Sequence, residues 1–176
     1  MTIMIPAWVD GTLQPLEKLE VHRRGLRHVA ISVFLTDGAR ILLQRRALGK
    51  YHTPGLWANT CCTHPHWGEP TRTCAARRLR EELGLTPPPL TFSRRVEYRA
   101  DVGGGLTEHE LVDIFTGRVP DDIAMAPNPD EVMDTRWIAP ADLAREIVEA
   151  PARYTPWLRI YMAEHGGGIL DDLASA

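Results

Sequence analysis

THPHWGEPTRTCAARRLREELGL, residues 63–85, carries the pattern that predicts the fold. From Pro70 onward, apolar residues recur at helical spacing on one face, at Ala75, Leu79 and Leu83. Proline suits the first position of a helix, and Gly84 stands where a C-terminal cap is expected. The stretch therefore predicts a helix over residues 70–83 with one buried stripe and a charged remainder.

The same stretch resembles the Nudix box, G-x5-E-x7-R-E-U-x-E-E-x-G-U, in which U is a bulky apolar residue. The matching positions are Glu69, Arg77, Leu79, Glu81, Glu82, Gly84 and Leu85. Two positions depart from the box: Thr63 replaces the opening glycine, and Arg78 replaces the glutamate after the arginine. Nudix hydrolases use clustered glutamates on this helix to hold divalent ions, whereas an arginine can hold a diphosphate but cannot bind a metal. The pattern thus favours the fold more than it favours hydrolysis, and a surface helix with Arg–Glu pairs is the alternative interpretation.

The segments around this helix alternate between strand and helix patterns. Strands are predicted at 28–35, 40–46, 55–62, 93–100, 106–119 and 131–139, and further helices at 141–150 and 155–165. Asp37-Gly38 predicts a hairpin turn between the first two strands. Because strands occur on both sides of the central helix, we expect an α/β (α+β) sandwich, a mixed β-sheet flanked by helices, as a single domain over residues 1–176. The resemblance of residues 63–85 to the Nudix box implies that this sandwich is Nudix-like.

The composition of the chain bears on its binding partners and on its location in the cell. The net charge of −3 gives no indication of nucleic acid or of an anionic membrane surface as a partner. No apolar run approaches the ~20 residues of a membrane span, and the first residues lack the pattern of a signal peptide. Three cysteines, two of them adjacent, predict free thiols rather than a disulfide framework. A cytoplasmic location is expected.

Several residues have metal-ligand spacing. Glu108 and Glu110 are two residues apart in a predicted strand and so share one side of it, as do Cys62 and His64 if their segment is extended. Two further histidines precede the first predicted strand, His22 and His28. Imidazoles combined with carboxylates suit magnesium, a divalent transition ion or zinc. Each residue alone is more often a surface or core residue, so the spacing by itself is a moderate signal.

Taken together, these residues resemble the type 1 isopentenyl-diphosphate delta-isomerases, a Nudix-fold family that does not hydrolyse its substrate. The resemblance covers LEKLEVH (16–22), LRHVA (26–30), RRALGK (45–50), PGLWANTCCTHP (54–65), RRLREELG (77–84), EYRA (97–100), EHEL (108–111), DEVMDTRW (130–137) and TPW (155–157). It implies interconversion of isopentenyl and dimethylallyl diphosphate, a 1,3-allylic proton shift in isoprenoid biosynthesis. The implied partner is a small prenyl diphosphate.

The resemblance also implies site residues. The catalytic set is Cys62, Glu110, Tyr98 and Trp157. A divalent metal, Mg, Mn or Zn, falls on His22, His28, His64, Glu108 and Glu110. Magnesium carried by the substrate diphosphate falls on Glu82, joined by the carbonyl of Cys62. The basic residues near the diphosphate are Lys18, Arg46, Lys50 and Arg78.

Four points stay open at this level. An active Nudix hydrolase and a non-catalytic module with a structural zinc site are competing interpretations. Cys61 is expected to point away from Cys62 and to be structural, but the two could exchange roles. The sequence does not indicate which of Cys62 and Glu110 donates the first proton, nor the oligomeric state.

Overall fold

Nine β-strands form one mixed sheet in the computed structural model, which describes residues 3–175. The strands are β1 Met4–Val9, β2 Thr12–Glu17, β3 Arg27–Thr36, β4 Ile41–Arg46, β5 Trp57–Ala58, β6 Cys61–Thr63, β7 Thr91–Gly103, β8 Leu106–Arg118 and β9 Val132–Ile138. The helices are α1 Lys18–Arg24, α2 Thr71–Leu83, α3 Pro140–Glu149, α4 Pro156–Ile160 and α5 Gly166–Ala174. A 3-10 turn, Pro151–Arg153, precedes α4, and a π-helical turn, Tyr161–His165, joins α4 to α5.

Strand β3 is the centre of the sheet. It runs parallel to β8 along its whole length and antiparallel to β6 and β1. On the far side of β8 lies β7, which forms a long antiparallel hairpin with it, while β4 pairs with β5 and β9. A buried strand with neighbours on both sides has apolar residues nearly throughout, and β3 is buried from Ala30 to Thr36.

The two faces of the sheet have separate cores. Helix α2 covers one face, where Ala75, Leu79 and Leu83 are fully buried in the same apolar cluster as Ile31 and Val33 of β3. The C-terminal helices cover the other face, where Ala30 and Phe34 share a cluster with residues of α3 to α5. Alternation along β3 accounts for the division, because successive side chains point to opposite faces.

The predicted fold class is confirmed, and several of its element boundaries are not. The strand predicted at 55–62 is wrong, because Asn59 and Thr60 divide it into β5 and β6. Their side chains bond main-chain groups of neighbouring strands instead of extending the ladder. Pro70 is the residue before α2, in extended conformation, and not its first helical residue. The helix predicted at 155–165 ends at Ile160 and continues as the π-helical turn.

The sequence patterns missed the N-terminal hairpin, α1 and α5. The hairpin has few buried positions in β2, so it lacks the period-2 alternation that identified the other strands. Helix α5 begins at three successive glycines, which are poor helix formers, and tertiary packing of Ile169 and Leu173 overrides that propensity. Across residues 3–175, no helix combines the length and the apolar character needed to cross a membrane.

Gly84 ends α2 in the left-handed region, at φ 62°, as predicted. A Cβ at this position would collide with the main-chain oxygen of Ala126, whose N–H donates to the carbonyl of Leu83 at 2.9 Å. We expect Gly84→Ala to lower the free energy of unfolding by roughly 2–5 kcal/mol. This loss is the sum of the cost of placing alanine in the left-handed conformation and the cost of overpacking against Ala126. Urea denaturation measures the loss. Gly104→Ala is the matched control, because it has a positive φ but nothing within 4 Å of the added Cβ, and an equal loss in both variants would contradict the role of the contact.

Candidate active site

One pocket contains all but two of the predicted site residues. The predicted residues that line it are Lys18, Arg46, Lys50, Cys62, His64, Arg78, Glu82, Tyr98, Glu108, Glu110 and Trp157. His22 and His28 are fully buried behind the pocket, with ring centroids 5.0 and 4.9 Å from that of His64. The predicted metal, catalytic and diphosphate residues are therefore neighbours in space, although they come from distant parts of the chain.

Strand register explains how the acid–base candidates meet. Cys62 of β6 pairs with Ser32 on one side of β3, and Glu110 of β8 pairs with His28 on the other side. Directly paired residues share a face of a sheet, and His28 and Ser32 are four residues apart on β3. Cys62 and Glu110 therefore project from two different strands onto the same face, with β3 between them.

Main-chain carbonyls orient two of the histidines. Nδ1 of His22 lies 2.6 Å from the Lys18 oxygen, and Nδ1 of His28 lies 2.7 Å from the Leu26 oxygen. Because a carbonyl only accepts, each Nδ1 carries a proton, and Nε2 of His22, which has no hydrogen-bond partner within residues 3–175, presents its lone pair. Burial also lowers the pKa of His22 to about 4, so its ring is neutral at pH 7. This is the arrangement that metal-binding histidines use.

Glu108 and Glu110 form a buried pair held by one hydroxyl. The Tyr98 hydroxyl lies 2.7 Å from Oε2 of Glu108 and 2.8 Å from Oε2 of Glu110. Burial and the charge of Glu110 raise the pKa of Glu108 well above its usual range. Burial acts in the same direction on Glu110, but hydrogen bonds from His28 and His64 outweigh it and hold the pKa of Glu110 well below its usual range. One carboxyl is thus neutral and its neighbour ionised, as two close carboxylates require.

The histidines and Glu110 could hold a divalent metal ion. One ligand atom from each of His22, His28, His64 and Glu110 lies within 4.8 Å of the others, and all four residues are buried. An ion about 2.1 Å from each atom requires separations of up to roughly 4.2 Å, so small side-chain movements would suffice. Within the described residues, Nε2 of His22 has no hydrogen-bond partner, so its lone pair could coordinate a cation. Glu108 groups with His22 and His52 rather than with this set.

The Cys62 thiol is fixed by two polar side chains. It donates to Oδ1 of Asn59 at 2.9 Å and lies 2.9 Å from the Ser32 hydroxyl, which in turn lies 3.0 Å from the Tyr161 hydroxyl. The Asn59 amide cannot turn over without loss, because its Nδ2 donates to the carbonyls of Val33 and Cys61. Burial raises the pKa of Cys62, so the group keeps its proton at neutral pH.

Cys61 points away from this pocket, as expected. It pairs with Val33 of β3, is fully buried, and packs in the core beneath α2 together with Cys74. Burial raises its pKa well above the usual range. The adjacent cysteines therefore lie on opposite faces of the sheet, and all three cysteines of the chain are free.

The charged residues of α2 form two sets of contacts, joined by Glu81, which accepts from both Arg77 and Arg78. Both carboxylate oxygens of Glu69 accept from Arg77, at 2.7 and 2.8 Å, and this hydrogen bonding lowers the pKa of Glu69 to about 2. This pair ties the segment before α2 to the helix. Arg78 instead binds the buried Glu82 at 2.6 Å, and Gln44 donates to the other Glu82 oxygen at 2.9 Å. The arginine that departs from the Nudix box therefore faces the pocket.

Four cations surround the pocket mouth. Burial, followed by repulsion from Lys50 and Arg78, lowers the pKa of Lys18 to about 8. Glu131, just before β9, binds Lys50 and also Arg78, the latter at 3.2 Å. Glu82 and Glu131 pair with Arg78 and Lys50, whereas within residues 3–175 neither Lys18 nor Arg46 forms a salt bridge, so the mouth favours an anionic ligand.

Trp157 supplies an aromatic wall. Its side chain is 2% exposed, and the Arg46 guanidinium lies 5.3 Å from its ring centroid. Among the described residues, Nε1 of the indole has no hydrogen-bond partner. The contact with Arg46 shows that the ring presents its face to a cation.

Comparison with curated relatives identifies the family. The NUDIX domain matches residues 26–158. An isopentenyl-diphosphate Delta-isomerase of Cereibacter sphaeroides (strain ATCC 17029) is 66% identical over 165 residues, covering 94% of this chain and 93% of the relative. One of Jannaschia sp. (strain CCS1) is 57% identical over 176 residues, covering 100% of both. The chain belongs to the isopentenyl-diphosphate Delta-isomerase family.

Solved structures agree on the fold of this isomerase. The MutT NUDIX hydrolase of Burkholderia pseudomallei has a TM-score of 0.61 at 22% identity, over 79% of this chain and 98% of that one. A Deinococcus radiodurans protein has a TM-score of 0.72 at 13% identity, over 91% of this chain and 97% of that one. At these identities the likeness extends to the fold alone, so the isomerase shares its architecture with hydrolases.

Sequence reasoning missed several residues of the isomerase's site. Tyr51 and His52 line the pocket, and Ser32 and Asn59 hold the Cys62 thiol. Ser32 had a detectable signal, because it is a polar residue among the apolar positions of β3. His52 follows the basic RRALGK segment by two residues, and this proximity was its only signal.

Proposed function

We propose that the chain interconverts isopentenyl and dimethylallyl diphosphate with Cys62 and Glu110 as its two acid–base groups. The observation that carries the proposal is their placement in one pocket from strands on either side of β3. Moving the double bond requires a proton at one carbon and removal of a proton from another, so two separate groups are needed. A thiol that holds its proton and an ionised carboxylate supply one donor and one acceptor.

The metal site would orient the carboxylate group. His22, His28, His64 and Glu110 would hold the ion, with Glu108 beside them, and the donor set suits Mg, Mn or Zn. When bound, the ion stabilises negative charge on the carboxylates and so alters their acidity. Tyr98 keeps both carboxyl groups in position through its hydroxyl.

The basic mouth would bind the diphosphate. Lys18, Arg46, Lys50 and Arg78 are its candidate partners, and Arg46 and Arg78 can each bind two oxygens at once. Glu82 would hold magnesium carried by the diphosphate, together with the Cys62 carbonyl, if Arg78 moves from the carboxylate to the phosphate. Glu131 occupies Lys50 and Arg78 in the free protein, so diphosphate binding would displace it.

Heavy water provides the direct test. The protein is incubated with isopentenyl diphosphate and magnesium in heavy water, and the products are followed by NMR. Deuterated dimethylallyl diphosphate is the expected product. Release of phosphate without isomerisation would instead support hydrolysis and would overturn the proposal.

Protonation of the double bond leaves a tertiary carbocation, and Trp157 would stabilise this cation by its ring face. We expect Trp157→Phe to lower the isomerisation rate by about 10-fold and Trp157→Ala by more, because the indole is the strongest cation–π partner and such contacts reach ~2 kcal/mol when desolvated. Rates are compared at saturating substrate, with thermal unfolding to measure the packing loss, which for alanine is roughly 3–5 kcal/mol. Trp137→Phe is the control, since Trp137 does not line the pocket. Equal rates for the phenylalanine and alanine variants would argue against cation stabilisation.

Metal removal should separate a catalytic site from a structural one. We expect a chelator to abolish isomerisation while circular dichroism is retained, because the apolar cores on the two faces of the sheet contain none of the proposed metal ligands. Added Mg or Mn should restore the rate. Unfolding on chelation would instead indicate a structural zinc site.

The three free cysteines support a reducing compartment, and we propose a cytoplasmic location on that basis. The proposed partner is a small prenyl diphosphate, and the proposed unit of folding is a single domain over residues 1–176. Immunolocalisation tests the proposed location, and limited proteolysis tests the proposed single domain.

A further inference from the structure

His52 is a buried polar residue of the pocket with no role in the proposed chemistry so far. It lies in the loop between β4 and β5 and is 6% exposed. Its ring stacks on that of His22, with centroids 5.8 Å apart, and meets Trp157 edge-on at 5.9 Å. It therefore contacts both the predicted metal site and the aromatic wall.

The neighbours of His52 define its tautomer. Nδ1 lies 3.5 Å from Nη2 of Arg46 and 3.1 Å from the Thr53 hydroxyl. A guanidinium only donates, so Nδ1 must accept and the proton of the neutral ring is on Nε2. Arg46 also donates to the His52 carbonyl at 3.1 Å, which holds the residue in place from its main chain.

The proton on Nε2 faces Glu108. Nε2 lies 3.3 Å from Oε1 of Glu108, while the other oxygen of this carboxyl accepts from Tyr98 at 2.7 Å. Glu108 is thus held from both ends, by an N–H and an O–H. When Glu108 is ionised, as a metal ligand must be, each of its oxygens has two lone pairs, so both contacts leave room for a metal ligand bond.

We propose that His52 is a positioning residue that orients Glu108 toward the metal site through its Nε2–H. The inference rests on the proposed function, in which Glu108 lies beside the metal. His52 also links the diphosphate end of the pocket to the metal end. Arg46, a proposed diphosphate ligand, holds the His52 ring, and the ring in turn holds Glu108. Outer residues of this kind typically contribute 10- to 100-fold to metal affinity or activity.

Glutamine and asparagine at position 52 test the proposal, because their side-chain amides extend to different distances from the main chain. In glutamine, the amide nitrogen is as many bonds from the main chain as Nε2 of histidine, whereas in asparagine it is one bond closer. The full-length chain and its His52→Gln, His52→Asn and His52→Leu variants are titrated with Mn²⁺, and free Mn²⁺ is measured by electron paramagnetic resonance. We expect His52→Gln to bind close to wild type, and the asparagine and leucine variants to bind about 10- to 100-fold more weakly.

Circular dichroism and thermal unfolding confirm that each variant is folded. Asparagine and leucine both lack an N–H that reaches Glu108, so one of these variants suffices for the test if the other does not fold. Wild-type Mn²⁺ affinity in His52→Asn or His52→Leu would overturn the proposal. So would a His52→Gln variant that binds Mn²⁺ no more tightly than His52→Asn, because that result would indicate a role in packing alone. Failure of the proposed function is separate, because it would appear as a wild-type chain that binds Mn²⁺ but does not isomerise isopentenyl diphosphate.

Discussion

Cys62→Ala is expected to lower the isomerisation rate by about 10²- to 10⁴-fold, the usual contribution of a group that transfers a proton in the transition state. The thiol donates to Asn59 and contacts Ser32 inside the pocket, and burial raises its pKa so that it keeps its proton. Alanine removes the proposed proton donor without adding bulk or charge. Diphosphate binding should change little, because the cations of the mouth lie on other residues. Steady-state rates and substrate affinity by calorimetry measure the two effects.

Cys61→Ala is the matched control for this variant. It deletes the same atom one residue earlier, but from the opposite face of the sheet, where Cys61 packs beneath α2. We expect a stability loss of about 1 kcal/mol and a rate close to wild type. If Cys61→Ala were inactive and Cys62→Ala active, the assignment of the two cysteines would be reversed.

Glu110→Gln is expected to lower the rate by at least about 10²-fold and to weaken metal binding. The amide cannot take up a proton, and it replaces the ionised carboxylate that His64 contacts at 2.8 Å. The shape of the side chain is retained, so the fold should persist. Deuterium incorporation from heavy water into isopentenyl diphosphate and Mn²⁺ titration measure the two losses.

Glu97→Gln is the control for the second prediction. Glu97 lies on the neighbouring strand β7 and pairs with Arg27 and His109 at the surface, so its amide should leave turnover unchanged. Undiminished deuterium incorporation by Glu110→Gln would remove Glu110 from the acid–base role and leave Cys62 without its partner.

The relation to NUDIX hydrolases depends on one helix. In this chain Arg78 stands where the box has a glutamate, and it binds Glu82, the carboxylate one turn later. The helix thus presents an ion pair to the pocket instead of a cluster of carboxylates. An arginine can bind a diphosphate, and the proposed acid–base groups, Cys62 and Glu110, lie on the sheet instead of on the helix.

Sequence periodicity predicted the parts of the fold that depend on local pattern. Helix α2 with its buried stripe, the β3–β4 hairpin and the common side of Glu108 and Glu110 follow from repeat lengths of 3.6 and 2.0 residues. Local pattern failed where long-range packing decided the conformation. The division of the segment 55–62 by Asn59 and the formation of α5 from a glycine-rich start are the two examples.

The sequence by itself determined the family, the helix that departs from the hydrolase pattern, and most of the residue types in the site. Only the tertiary structure decided which of them meet. The register of β3 with β6 and β8 puts Cys62 and Glu110 on one face and Cys61 on the other, with Asn59 and Ser32 at the thiol. The loop between β4 and β5 brings His52 to Glu108. The physical reason is that spacing along a chain defines the face of a single element, whereas contacts between elements depend on pairing across long sequence separations.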